Sequence, residues 1–385
     1  MTASVSGQVT EVDHRFMRLA LALGQRNLGR TWPNPSVGAV VVAGAAGFER
    51  IVGQGVTAPG GRPHGEPLAV AMAGEAARGA TLYVTLEPCS HHGRTPPCTD
   101  AILSAGIARV VTAMEDPDPR VAGSGHARLR AAGIALTTGV LRKEAYRAHL
   151  GHVSRIDLGR PSLHLKLART RDGFAAGSPD KRLQITGAVA NGIVHLWRAH
   201  SDAIMVGIGT VRADDPSLNV RLPGLAGCSP VRIVLDSTLR LLPSTHLVRS
   251  ARDIPTLVVT TSGAPAHARR MLASSGVEIL SVDAGADGRI DLHAAMQRLG
   301  TYGLSRICSE GGPHLGDALA KADLVDVCTL ITGPVDLGEG GGLPAVGPHL
   351  SERLSSGHLR QVEARDLGSD HAVTYERSVP CSPVS

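Results

Sequence analysis

Residues 85–98 read TLEPCSHHGRTPPC, with two cysteines, two histidines and three prolines in fourteen positions. That mixture is foreign to an ordinary loop and reads as metal chemistry set between a strand and a helix. The strand is ATLYVTLEP (80–88) and the helix is TDAILSAG (99–106). Just upstream, PHGEPLAVAMAG places His64 and Glu66 at the start of a helix expected over about 66–78. Residues two apart do not share a helix face, so one can ligate a metal while the other leans over an open position. Cys89 follows Pro88 at a strand end, and Cys98 follows Pro97 before a helix, where the backbone dipole favours a thiolate. One imidazole and two thiolates leave a tetrahedral zinc one open place. Zinc there lowers the pKa of a bound water toward ~7, and Glu66 can take its proton and pass it to a leaving amine. Two other readings stay open: a structural zinc with His91 or His92 as fourth ligand, and a metal-free pair of buried cysteines.

Working outward, strands and helices alternate on both sides of the motif, which is the pattern of α/β layers. Residues 11–29 show helical spacing, with Phe16, Leu19, Ala20 and Leu23 on one face. SVGAVVV (36–42) is a buried strand and RIVGQGV (50–56) its hairpin partner. ARVVTAM (108–114) and IALTTGV (134–140) are strands flanking the helix GHARLRAAG (125–133). This first domain is expected over 1–150. LGRPSLHLKLA (158–168) restarts the pattern, and a second α/β domain is expected over 155–375, with 376–385 as a disordered tail. Its strands are DAIMVG, VRIVLD, PTLVVT, VEIL, SRICSE and LVDVCTLI, and its helices fall near 188–200, 264–275, 290–300 and 313–321.

Composition narrows the class. The 385 residues are 43% hydrophobic and only 2% aromatic, so the cores rest on Ala, Val, Leu and Ile. A net charge of +5 is spread along the chain without a basic stripe or stacking platforms, which argues against nucleic acid and fits a small phosphorylated substrate. No apolar run approaches the ~18 residues of a membrane span, and the N-terminus lacks signal-peptide regions. Six cysteines are too few for a disulfide scaffold, so a cytoplasmic protein with thiols free for metal is expected.

Zinc deaminases commonly carry H-x-E followed by P-C-x-x-C; here eight residues separate Cys89 from Cys98. With that long spacer, PHGE before it and PNPSVGAVVV (33–42) earlier, the chain resembles the bifunctional deaminase–reductases of riboflavin biosynthesis over nearly its whole length. The resemblance implies a cytidine-deaminase-like three-layer domain followed by a dihydrofolate-reductase-like domain. It implies zinc on His64, Cys89 and Cys98, with Glu66 as proton shuttle, removing the 2-amino group of a diaminopyrimidinone ribosyl phosphate. Asn34, between two prolines, is either a turn residue or a hydrogen-bonding partner of the pyrimidine, and the resemblance favours the latter. His92, Arg94 and Thr95 are either substrate contacts or an exposed polar loop. Trp32 and Gly65 stand where the family more often has histidine and alanine.

In the second half, EGGPHLGDAL (310–319) follows a strand and opens a helix, a place suited to phosphate. KLARTRDGFAA, ADDPSLNVR, VLDS and SEGGPHLGDAL are similar, in order, to the family's NADPH-dependent reductase domain. The resemblance implies hydride transfer to C1′ of the ribosyl group, giving a ribityl chain. Carried over residue by residue, Ala168, Gln184, Thr210, Asp214, Ser237, Gly312, Pro313, His314 and Leu315 would line NADPH. Arg182, Arg198, Leu218, Arg221 and Glu310 would face the substrate, the arginines suiting a phosphate. Lys166 is structural or substrate-adjacent, and Asp214–Asp215 before Pro216 could equally be a turn. Departures cluster at one rim: TRDG where the family usually has S-L-D-G, Gln184 where it usually has tryptophan, and Arg182 in place of serine. A homo-oligomer is expected.

Overall fold

The structure, a computed structural model, describes residues 9–176, 184–338 and 342–378. Arg182 and the tail from residue 379 lie outside the described residues. The chain divides into two compact units, Met1–Gly159 and Arg160–Ser385.

The first unit runs α1 (Glu11–Gln25), β1 (Gly38–Ala43), β2 (Arg50–Val56), α2 (Gly65–Ala73), β3 (Thr81–Val84), α3 (Cys98–Ser104), β4 (Arg109–Thr112), α4 (Ser124–Ala131), β5 (Ala135–Thr138), α5 (Arg142–Ala148) and α6 (Leu150–Asp157). Its five strands lie in the order β2-β1-β3-β4-β5, with β1 antiparallel to both neighbours and β3, β4 and β5 parallel. Residues 38–42 of β1 are all buried, as in a strand covered on both faces. Two glycines let α2 settle directly on β2. A Cβ at Gly53 would stand 2.1 Å from the Ala69 carbonyl oxygen, and one at Gly55 2.1 Å from that of Gly65.

A capping box starts α1: the Thr10 side chain accepts from the Asp13 N–H, and the Asp13 carboxylate accepts from the Thr10 N–H. Asp13 is also fully buried, gripped by both terminal nitrogens of Arg109 at 2.8 and 3.0 Å and by the Tyr83 hydroxyl at 3.0 Å. This anchor sets the helix rotation. Phe16 and Ala20 face inward as their spacing suggests, but Leu19 is exposed and Leu23 only partly buried; Met17 and Leu21 take the inner positions. Two further helices, α5 and α6, carry the first unit past residue 150. The strand expected to reach Pro88 ends at Val84, since Pro88 has no N–H for a ladder and the Thr85 hydroxyl accepts the Gly38 N–H instead.

The second unit runs β6 (Ser162–Arg169), β7 (Phe174–Ala176), α7 (Ala188–Ala199), β8 (Ala203–Gly207), α8 (Ile208–Asp214), β9 (Val231–Leu235), α9 (His246–Arg249), β10 (Thr256–Thr261), α10 (Ala266–Ser274), β11 (Glu278–Val282), α11 (Leu292–Tyr302), β12 (Arg306–Ser309), α12 (Pro313–Lys321), β13 (Val327–Thr332), β14 (Leu343–Pro344), α13 (Pro348–Ser355), β15 (Leu359–Leu367) and β16 (Asp370–Arg377). Nine strands form one sheet in the order β11-β10-β9-β8-β12-β6-β13-β16-β15. It is parallel except at β16, which is antiparallel to both neighbours. From β8 the chain steps outward through β9, β10 and β11, and β12 returns to lie between β8 and β6. That reversal opens a crevice at the carboxyl ends of the parallel strands, the usual ligand position in such sheets.

Glu376 and Arg377 belong to β16, not to a disordered tail. Arg377 reaches Asp323 Oδ2 at 2.8 Å and Asp326 Oδ1 at 3.2 Å, and Asp326 also takes a bidentate grip from Arg160 at 2.7 and 2.8 Å. Arg160 before β6 and Arg377 in β16 are thus both tied to the segment that leads into β13. Among the described residues no helix is long and apolar enough to cross a membrane.

Candidate active sites

In the first unit, three elements deliver three ligand atoms to one point. His64 is the N-cap of α2, Cys98 is the first residue of α3, and Cys89 sits on the segment that leaves β3. His64 Nδ1 lies 3.2 Å from Cys98 Sγ and 3.8 Å from Cys89 Sγ, and the three donor atoms all fall within 4.8 Å of one another. Both cysteines are free thiols. The start of α3 is aimed at Cys89: the Cys98 N–H points to its sulfur at 3.3 Å and the Thr99 N–H to its carbonyl at 3.2 Å. Cys89 is drawn toward thiolate by the Cys98 thiol first, and then by His64, against burial. Cys98 is pushed the other way, by Cys89 first and by burial. Two thiols set this close to each other and to an imidazole nitrogen form a donor set that fits zinc, since a bound dication favours both as thiolates.

Glu66 stands in the first turn of α2, 3% exposed, with Oε2 buried and unpartnered among the described residues. Burial raises its pKa; His64 opposes the rise and Cys89 adds to it. A carboxyl left with an idle oxygen beside a metal-ligand set is placed to carry a proton rather than to hold structure. The alternative of a fourth protein ligand is not realised. His91 and His92 are exposed, His92 Nε2 lies 4.0 Å from Asp100, and neither joins the three donors.

The rim is built from the loops before and after these ligands. Asn34 Nδ2 donates to the Gly61 carbonyl at 2.8 Å, three residues before His64. Gly61, at φ 84°, has no room for a side chain, since a Cβ would stand 2.6 Å from Asn34 Nδ2. This contact leaves Asn34 Oδ1 as the amide's remaining polar atom. Arg62 hydrogen-bonds the Thr95 hydroxyl, and Arg94 is exposed. Glu87 escaped the sequence reading. It is 3% exposed and accepts the backbone N–H groups of Asp116, Gly123 and His126 at 3.3, 3.0 and 3.0 Å. It thereby ties the β4–α4 loop to the segment that carries Cys89. Its carboxylate also lies near Glu115 and His126 in a second group of possible donors, but those three amide bonds already engage it. No sequence signal separates such a buried acid from a surface one.

In the second unit, a cleft of about 1990 Å³ opens at the carboxyl ends of β6, β8, β9 and β12, larger than an ordinary small-molecule pocket. Every described residue expected on the cofactor side lines it. Ala168 comes from β6, Gln184 from the segment before α7, Thr210 and Asp214 from α8, and Ser237 from the end of β9. Gly312, Pro313, His314 and Leu315 come from the turn into α12. Gly312 caps α12 without a side-chain bond, and Pro313 takes the first helical position, so amides at this helix start remain open to a ligand. The Gly312 N–H points to Thr210 Oγ1 at 3.3 Å. Asp215, at φ 38°, is the turn residue of its pair, and the His246 N–H donates to it at 2.8 Å, while Asp214 is exposed.

Arg198, Leu218, Arg221 and Glu310 line the same cleft. Arg198 Nε and NH2 donate to the two oxygens of Glu310 at 2.6 and 2.8 Å, and NH1 donates to the Asn219 carbonyl at 3.0 Å. Glu310 is held below the usual carboxylate range against burial, chiefly by Arg198, with Lys166 contributing. The Arg198 fork is thus engaged within the protein, and Arg221 is the exposed guanidinium of the two. Leu218 is buried at φ 49°, backbone strain of the sort found beside ligand sites.

Two family models match the chain: the cytidine and deoxycytidylate deaminase zinc-binding region over residues 10–114, and the RibD C-terminal domain over 161–373. The riboflavin biosynthesis protein RibD of Aquifex aeolicus is 37% identical over 369 residues, covering 96% of this chain and 99% of that one. Its counterpart in Escherichia coli is 38% identical, covering 93% and 97%. Among solved structures, Acinetobacter baumannii RibD aligns with a TM-score of 0.81 at 32% identity over 95% of this chain and 99% of that one. A Thermotoga maritima diaminohydroxyphosphoribosylaminopyrimidine deaminase/5-amino-6-(5-phosphoribosylamino)uracil reductase aligns at 0.79 and 32%, over 95% and 98%.

Proposed function

The chain belongs to the RibD family of riboflavin biosynthesis, and on that premise we propose how its own residues divide the work of the family's two reactions. The protein is a zinc-dependent deaminase and an NADPH-dependent reductase of riboflavin biosynthesis. It deaminates 2,5-diamino-6-ribosylamino-4(3H)-pyrimidinone 5′-phosphate and reduces the product to 5-amino-6-(5-phosphoribitylamino)uracil.

For the deamination, His64, Cys89 and Cys98 would hold zinc and Glu66 would move the proton. Zinc, when bound, lowers the pKa of water in its open place toward ~7. Glu66 takes the proton of the attacking water and delivers it to the departing 2-amino group. The C2–N bond breaks, ammonia leaves and the water oxygen stays as the new carbonyl. Asn34 Oδ1, free of the Gly61 contact, is an acceptor for a pyrimidine N–H. The observation that carries this reading is the buried, unpartnered Oε2 of Glu66 beside three convergent donors, one imidazole nitrogen and two sulfurs.

For the reduction, NADPH supplies the hydride for C1′ of the ribosyl group. The open amides of His314 and Leu315, in the turn from Gly312 through Pro313, would receive a cofactor phosphate, with Ala168, Gln184, Thr210, Asp214 and Ser237 around it. Arg221 would meet the substrate phosphate, and the Arg198–Glu310 pair and Leu218 would shape the wall beneath it; Arg182 is assigned to the substrate side on family membership alone. A cytoplasmic setting agrees with the free thiols of Cys89 and Cys98. Self-association into a homo-oligomer is carried over from family membership alone.

The test is purified protein with the diaminopyrimidinone phosphate, with and without NADPH, following ammonia and product masses. Ammonia should appear without NADPH and the ribityl product only with it. Glu66→Gln should retain zinc and lose ammonia release by roughly 10²–10⁴-fold. Undiminished ammonia release from that variant would sink the assignment.

A further inference from the structure

We propose that His195 seats the phosphate of the pyrimidine substrate, donating a hydrogen bond from Nε2 beside the Arg221 guanidinium. The inference rests on the cleft being the reductase site and adds to it a residue whose role no motif announced.

His195 lies on α7 one turn from Arg198, at the i, i+3 spacing that puts two side chains on one helix face, and both line the cleft. The Arg221 backbone N–H donates to His195 Nδ1 at 3.3 Å. A neutral imidazole that accepts at Nδ1 carries its proton at Nε2, so that atom is a donor only. The other acceptor within reach of the ring is the Asn219 carbonyl, which already takes Arg198 NH1 at 3.0 Å. Burial first, then Arg198 and Arg221, press the ring toward its neutral form, against Glu310 and the Asn219 carbonyl.

The neighbouring charges select the ligand. Arg198 is neutralised by Glu310. Arg221 is exposed, with NH1 on Asn219 Oδ1 and its other nitrogens available. A donor-only ring and a guanidinium, joined through the backbone N–H of Arg221 itself, suit a group that only accepts hydrogen bonds and carries negative charge. A phosphate is such a group. A sugar hydroxyl would waste its own proton against two donors.

The test compares wild type, His195→Phe and His195→Gln in NADPH oxidation with the deaminated ribosyl phosphate. Inorganic phosphate serves as inhibitor, read as its component competitive with the pyrimidine at saturating NADPH. His195→Phe should raise the KM for the pyrimidine and the inhibition constant of phosphate together, by roughly tenfold, the scale of one hydrogen bond to a charged group. The KM for NADPH and the deaminase rate should stay within twofold. His195→Gln, whose amide can accept from Arg221 and still donate, should recover most of the loss. A phenylalanine variant with unchanged constants overturns the proposal. So does a KM rise without a matching change for phosphate, or a glutamine variant as poor as phenylalanine, which would mark a packing role. Absence of NADPH oxidation in wild type would instead sink the reductase reading. Calorimetric titration of the three proteins with inorganic phosphate would then still decide the role of His195.

Discussion

Arg198 and Glu310 face each other as a two-pronged ion pair, Nε to Oε1 at 2.6 Å and NH2 to Oε2 at 2.8 Å, with side chains only 12% and 9% exposed. Glu310 starts the turn into α12 and Arg198 ends α7, so the pair ties the cofactor turn to the substrate wall. Removing one partner strands a buried charge. Glu310→Ala should lower the stability of the second unit by about 3–5 kcal/mol in urea unfolding, whereas Arg198→Met with Glu310→Leu should recover most of it. Neither variant should restore NADPH oxidation, because the charges also shape the cleft. A double variant with full turnover would show that the pair is merely structural.

The metal can be removed from one reaction without touching the other. Cys98→Ser, or treatment with a strong chelator, should strip zinc and abolish ammonia release. Reduction of separately supplied deaminated substrate should continue, since every residue of the cleft belongs to the second unit. Metal analysis beside the two assays checks this, and loss of both activities on mild chelation would contradict it.

The convergence of His64, Cys89 and Cys98 was legible because these residues sit on element termini, where residue type decides chemistry more than packing does. His64, Cys89 and Cys98 each occupy a cap or junction whose punctuation, Pro63, Pro88 and Pro97, is visible in the chain. The parallel strands were legible because both-face burial makes them continuous apolar runs. The β15–β16 hairpin was not. The interior residues of β15, LRQVEARDL, are exposed, so an edge strand there shows no apolar signal. The rotation of α1 was hidden too, because Asp13 looks like a first-turn acid and not like the anchor that Arg109 and Tyr83 make of it. Burial pushes the Asp13 carboxyl up, yet Arg109 and the Thr10 N–H hold it below the usual range.

Gln184 lines the cleft and is exposed, at a position where the family more often carries tryptophan. An amide there offers little apolar area to a cofactor ring, and an indole would offer far more. Gln184→Trp should lower the KM for NADPH by roughly three- to tenfold, about 0.7–1.4 kcal/mol, with kcat little changed. Steady-state kinetics against NADPH at saturating pyrimidine checks it. An unchanged or raised KM would mean that the cofactor does not reach this rim.

His164 gives the second unit an acid-sensitive element. It lies on β6, with its ring edge-on to Trp197 at 5.1 Å between centroids and Nε2 2.9 Å from Thr329 Oγ1. Burial first, and then Arg306, press its pKa down to about 4, with Glu310 opposing. The native imidazole is therefore neutral, while in the unfolded chain a histidine titrates near ~6.5. Between those values the unfolded state binds the extra proton, so stability rises with pH across the window. The contribution is fully present above pH ~6.5 and is lost as pH falls toward 4, by at most about 3 kcal/mol. His164→Gln keeps a hydrogen-bonding partner for Thr329 and does not titrate. Urea unfolding at a series of pH values from 4 to 7 should show a shallower slope for the variant. Parallel slopes would show that groups other than His164 set the acid sensitivity of this unit.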